Sequence, residues 1–204
     1  MSRALLTVFA ITLMAAAHAV AAPLSYTGSL DPGDANSFTL FEFTLPSAAS
    51  VNIQTWGYSG GVNAAGTLIA PGGFDPYVSL FSGTGPGAVF LASNDDGSCP
   101  PGNGTVNCFD STLDVNLAGG SYTVALTVFG NPSFAEDRSS GTLGDGFIGL
   151  ASYFDPFSDS WRSANYAIDI SSPASAPEPG SLWLIAAGIA AVAAGRWRFV
   201  ARKL

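Results

Sequence analysis

In the middle of this chain the apolar side chains recur at every second position, and no segment there repeats at every third or fourth. A period of two places alternate side chains on opposite faces of an extended backbone, so the sequence is written for strands and against helices. The cleanest stripe is Tyr122, Val124, Leu126 and Val128, alternating with Thr123, Ala125 and Thr127. Phe41, Phe43 and Leu45 share one face of residues 38–46, and Val51, Ile53 and Thr55 continue as the next strand. Tyr77, Ser79 and Phe81 oppose Val78 and Leu80, and a short strand follows at 89–92. Leu113, Val115 and Leu117 alternate with Asp114 and Asn116, and Tyr166, Ile168 and Ile170 close the series. Clusters of Gly, Pro, Asn and Asp separate these runs. About eight such strands predict an all-β fold, an antiparallel β-sandwich or jelly roll with one core, over residues 22–172. Residues 131–162 read as a long aromatic insert before the last strand.

Charge narrows the function. Only Arg138 and Arg162 are basic between residues 22 and 176, against fourteen carboxylates, so the domain carries close to twelve negative charges and no lysine. Nucleic-acid binding needs a basic surface to replace phosphate counterions, and a Walker-type phosphate site needs its lysine. Both are excluded. The one histidine, His18, lies near the start of the chain. If it is removed on export, a Ser-His-Asp triad and His-ligated zinc go with it.

Both ends read as targeting segments. Arg3 precedes an apolar run from Ala4 to Ala17, which is followed by small residues spaced as in a cleavage site. Residues 1–21 are therefore expected to be a signal peptide cut after Ala21. At the other end, residues 181–195 are apolar and predict a transmembrane helix, with the basic residues of 196–203 on the cytoplasmic side and the acidic domain outside. The linker 173–180 contains Pro177-Glu178-Pro179. This tripeptide, the apolar helix and the basic run with Arg196 and Arg198 together resemble the PEP-CTERM sorting signal of Gram-negative bacteria. The resemblance implies handling by an exosortase, first anchoring in the inner membrane with the domain in the periplasm, and then release to the cell surface or medium. It also implies association with exopolysaccharide and biofilm matrix.

The order FTLFEFTLP (38–46), DPYVSLF (75–81), ASNDDG (92–97) and LAGGSYTVAL (117–126) resembles the bacterial pre-peptidase C-terminal domain, and more closely a subgroup of exported proteins carrying the same motifs with a PEP-CTERM tail. The resemblance implies a jelly-roll-like sandwich acting as an accessory or adhesive module. The Cys99–Cys108 loop and the 131–162 insert depart from the family pattern.

Four groups of residues are candidates for chemistry. Cys99 and Cys108 flank a Pro-Pro-Gly turn in an exported chain and are expected to form a disulfide, with a reactive thiol pair as the alternative. Asn94, Asp95 and Asp96 share one loop, Asp110 lies just past the cysteines, and Asp75 precedes a strand. Together they predict a calcium site, against the reading that Asn and Asp simply form turns here. Trp161, Tyr153 and Phe154 offer aromatic faces for a sugar ring, or else cap one end of the sandwich. Glycoside hydrolysis needs two paired carboxylates, and no spacing among the fourteen singles out a pair. The sequence thus reads as a non-enzymatic envelope or matrix protein, with a carbohydrate-binding module as the alternative and a carboxylate-dependent hydrolase behind both.

Overall fold

The computed structural model describes residues 22–97 and 109–172. The expected signal peptide, the Cys99–Cys108 pair, and the linker, apolar segment and basic run from residue 173 onward lie outside the described residues. Among the described residues, no helix is long and apolar enough to cross a membrane.

Twelve strands and one short helix follow in chain order: β1 (Leu24–Ser29), β2 (Thr39–Leu45), β3 (Ala49–Thr55), β4 (Gly61–Val62), β5 (Leu68–Ile69), β6 (Pro76–Ser82), β7 (Val89–Asn94), β8 (Thr112–Leu117), β9 (Gly120–Val128), α1 (Phe134–Asp137), β10 (Phe154–Asp155), β11 (Ser160–Trp161) and β12 (Asn165–Ser171). The eight longer strands pair as nested antiparallel ribbons. β6 pairs with β7, β3 with β8, β2 with β9, and β1 with β12. Further pairings of β12 with β3 and of β6 with β9 close two four-stranded sheets, β1-β12-β3-β8 and β2-β9-β6-β7. This is the winding of a jelly roll, in which a long hairpin is rolled so that its ends and its middle share sheets.

The period-two stripes fill one core between the sheets. Phe41, Phe43, Val78, Leu80, Tyr122, Val124 and Leu126 come from one sheet, and Val51, Ile53, Leu113, Leu117, Ile168 and Ile170 from the other. Sequence reading placed each of these strands but missed β1, whose one large inward side chain is Tyr26, packed on Phe41 at 4.8 Å between ring centroids.

The first half of the insert does not cap an end of the sandwich. Residues 133–147 lie over the outer face of the β2-β9-β6-β7 sheet, where Ala135 and Leu143 close a second cluster with Phe81, Ala88 and Ala125. Ser133 starts α1, its Oγ accepting from Glu136 N, and Leu143 N donates to Ala88 O at 2.8 Å. Thr123, Ala125 and Thr127 are therefore buried, although their alternation reads as a solvent face. β6 is likewise covered on both sides and is buried continuously from Val78 to Phe81.

Phe81 is fully buried beneath the insert. Phe81→Ala is expected to cost about 3–5 kcal/mol, measured by chemical denaturation, and to make residues 133–147 more sensitive to protease. A loss below about 1 kcal/mol would show that the second layer is not part of the cooperative fold.

Candidate functional site

At one end of the sandwich, β10 and β11 form a short hairpin whose polarity is inverted. Phe154 pairs across it with Trp161, and Asp155 with Ser160. The carboxylate points inward and the aromatics point out: Asp155 is 7% exposed, whereas Phe154 is 38%, Phe157 74% and Trp161 76% exposed.

The inward side is densely bonded. Asp155 Oδ2 accepts from Tyr58 Oη at 2.6 Å, Ser158 Oγ at 2.6 Å and Arg162 Nε at 3.0 Å, while Oδ1 accepts from Phe157 N at 2.9 Å. Burial alone would raise this carboxyl, but those hydrogen bonds outweigh it and hold it well below the usual carboxylate range. The Arg162 guanidinium also lies over the Tyr58 ring, 3.6 Å from its centroid. Burial, aided by the bond to Asp155, pushes the Tyr58 hydroxyl up to about 12.

Tyr58 is itself fixed from below. Asp110 is wholly buried at the start of β8. It accepts from Tyr58 N at 3.1 Å, Ser59 N at 2.8 Å and Thr55 Oγ1 at 3.1 Å. The hairpin's exit is pinned where Ser163 N donates to Gly72 O at 2.9 Å and Gly73 N to Gly57 O at 2.8 Å. A Cβ on Gly73 would lie 2.5 Å from Asn165 O and 2.7 Å from Gly57 O, so only glycine lets these three segments meet.

The aromatics continue along the surface. Tyr58, Phe109 and Phe157 form a chain with 5.0 Å between successive centroids, and Phe154 meets Trp161 edge-on at 5.6 Å. Tyr153 does not belong to this surface. It is buried against Phe74 and donates to Asp31 O at 2.9 Å, so its predicted ligand contact is corrected to a core position. Sequence reading named Trp161 and Phe154 but left Arg162 and Asp155 without roles. The available signal was scarcity, because a base this rare in so acidic a domain has reason to be paired.

Two of the five residues predicted to bind calcium have their side chains engaged elsewhere. Asp110 is turned inward with both carboxylate oxygens engaged. Asn94 donates to Thr112 O and accepts from Asp96 N, which is turn-forming work. Among the described residues, no group of three His, Cys, Asp or Glu side chains is arranged to hold a metal ion.

What remains is electrostatic. Asp75 Oδ1 is buried without a hydrogen-bond partner. Burial first, then the charges of Asp96, Asp95, Asp155 and Asp110, push its carboxyl up to about 8. Burial and Asp95 likewise raise Asp96. In the unfolded chain Asp75 titrates near 3.8. The folded state therefore holds a proton that the unfolded state has lost over the interval between these values. Its stabilising contribution is complete below the lower value and is lost as pH rises through the upper one. Melting temperature is expected to fall from pH 5 to pH 9, and Asp75→Asn to melt at least about 2–4 °C above wild type at pH 9, the shift that 1 kcal/mol carries in a domain of this size. Equal melting of the two at pH 9 would contradict this.

A concavity of about 490 Å³ lies where the insert stops short of β2. Phe38, Leu40, Leu143 and Phe147 line it, with Asn36 and Asn131 as its polar residues. The Asn131 amide is engaged by Asn36 O and Gly149 N, and no ionisable side chain lines the cleft.

Residues 175–198 match the PEP-CTERM protein-sorting motif. The match includes Pro177-Glu178-Pro179 and reaches Arg198, and it leaves the sandwich outside it. Comparison with curated proteins gives no match. The motif marks an exported protein sorted by an exosortase.

Proposed function

We propose that this chain is a non-enzymatic component of the cell envelope or extracellular matrix of a Gram-negative bacterium. On this reading its tail delivers it, and its sandwich holds exopolysaccharide through the β10–β11 hairpin. The observation that carries the reading is the inverted hairpin. A rigid scaffold that buries Asp155 and Arg162 while presenting Phe154, Phe157 and Trp161 is built to offer aromatic faces, on which sugar rings stack. Rigidity matters because little ordering entropy is then lost on binding.

A carboxylate hydrolase has one observation in its favour. Asp75 and Asp155 are pushed in opposite directions, as an acid and a base are in carboxylate pairs. However, Asp155 is closed in by Tyr58, Ser158, Phe157 and Arg162, and the cleft beside β2 carries no acid. Binding without chemistry fits this arrangement better.

Exported protein is expected to be retained by host exopolysaccharide in a pull-down. Trp161→Ala should weaken retention roughly tenfold, or about 1.4 kcal/mol. Equal retention of the variant would remove the hairpin from the reading. Mass spectrometry of the exported form from an exosortase-competent host should find a chain ending near Pro177-Glu178-Pro179 and lacking Arg196 to Leu204. Recovery of the intact tail would point instead to a permanent anchor through residues 181–195.

A further inference from the structure

The charge around the hairpin selects among polysaccharides. Two bases stand among the described residues, and the one at this face already holds its counter-ion. Arg162 is bonded to Asp155 and stacked on Tyr58. Arg138 lies just past α1, its guanidinium 5.3 Å from the centre of the Phe134 ring, on the sheet face covered by the insert.

The carboxylates are distributed differently. Asp159 sits in the hairpin's own turn, exposed, with a left-handed φ of 46°. Asp95 and Asp96 share this end of the sandwich with the hairpin, since Ser111 Oγ donates to Asp95 O at 2.8 Å and the neighbouring Asp110 holds Tyr58, whose hydroxyl bonds Asp155; Asp75, which keeps its proton up to about pH 8, adds no charge below that. The face that presents aromatic rings therefore also carries negative potential, which repels uronic or sulfated polymers and attracts cations. Aromatic faces beside carboxylates suit a ligand with apolar ring faces and ammonium groups together, because cations are also drawn to the rings themselves.

We infer that the β10–β11 face binds a cationic polysaccharide, one whose amino sugars carry free rather than acetylated amines, with sugar rings stacked on Trp161 and Phe154 and the ammonium groups balanced by the carboxylates at this end. The inference rests on the hairpin's being a polysaccharide platform, and it specifies the class of polymer.

The test is calorimetric titration of the exported protein with three soluble oligosaccharides at pH 6: glucosamine oligomers, N-acetylglucosamine oligomers of the same length, and alginate oligomers. Glucosamine oligomers are expected to bind at least about tenfold more tightly than the acetylated ones, to weaken several-fold when salt is raised from about 0.05 M to 0.5 M, and to lose about tenfold in affinity in Trp161→Ala. Alginate is expected not to bind. Trp161 is largely exposed, so the variant should keep its fold, and its thermal melt checks this. Equal or tighter binding of the acetylated oligomers, still lost in Trp161→Ala, would overturn the inference while leaving a sugar platform in place. Glucosamine binding unchanged in Trp161→Ala would overturn both by showing charge attraction without a site. No binding of any of the three would likewise overturn the inference, and retention on host exopolysaccharide would then separate that failure from failure of the platform itself.

Discussion

Tyr58 is where the sandwich and its most exposed feature are joined. Its backbone N–H is held by Asp110 at the start of β8, its hydroxyl by Asp155 on the hairpin, and its ring by the Arg162 guanidinium. Each contact is modest alone, since an exposed ion pair contributes little. Here Asp155 is buried and Arg162 half-buried, and the carboxylate's lone pairs are matched by Tyr58, Ser158, Phe157 and Arg162, the condition under which a buried charge does not penalise the fold. Removing one partner would leave a charge stranded against the core. These contacts tie the hairpin to the sheets beneath it, which two residues per strand could not do alone.

The second constraint is that one sheet is covered on both faces. Val78, Leu80, Val124 and Leu126 face the main core, while Phe81 and Ala125 face the other way. Such a sheet cannot stand in water with one face bare, so the chain must supply a cover. The insert does this with very little regular structure: four helical residues, a 3-10 turn at Leu143–Asp145, and backbone bonds to residues 86, 88 and 90. Because the cover ends before β2, Phe38 and Leu40 remain at the rim and form the apolar cleft with Phe147.

Much of this was legible in the chain, for a physical reason. Strand periodicity is local, and β2, β3, β6, β8, β9 and β12 each carry it without help from distant residues. Burial on both faces is a property of partners, so Thr123, Ala125 and Thr127 looked solvent-facing until the insert was placed over them. Tyr153 and Trp161 are both aromatic residues of one insert, and composition cannot say that one faces Phe74 and the other water. The Asn94-Asp95-Asp96 loop looked like a cation site because turn formers and calcium ligands are the same residue types. What separated them was Asp110, whose direction is set by Thr55, Tyr58 and Ser59 about fifty residues earlier.

The acidity and the exposed aromatics are best understood together. Solvent-facing Trp161, Phe157 and Phe154 on a rigid ribbon would ordinarily invite self-association, since patches of this kind drive sticking between copies. A domain with fourteen carboxylates and two arginines resists that, because like-charged copies repel at the range where such patches would meet. Placing lysines around the hairpin would have balanced the charge but removed this protection. On the proposed reading, the same field that keeps copies of the chain apart also decides which polymer can approach the aromatic face. Solubility and selectivity are in this sense one property of the surface, and both follow from a composition that leaves the domain with almost no bases.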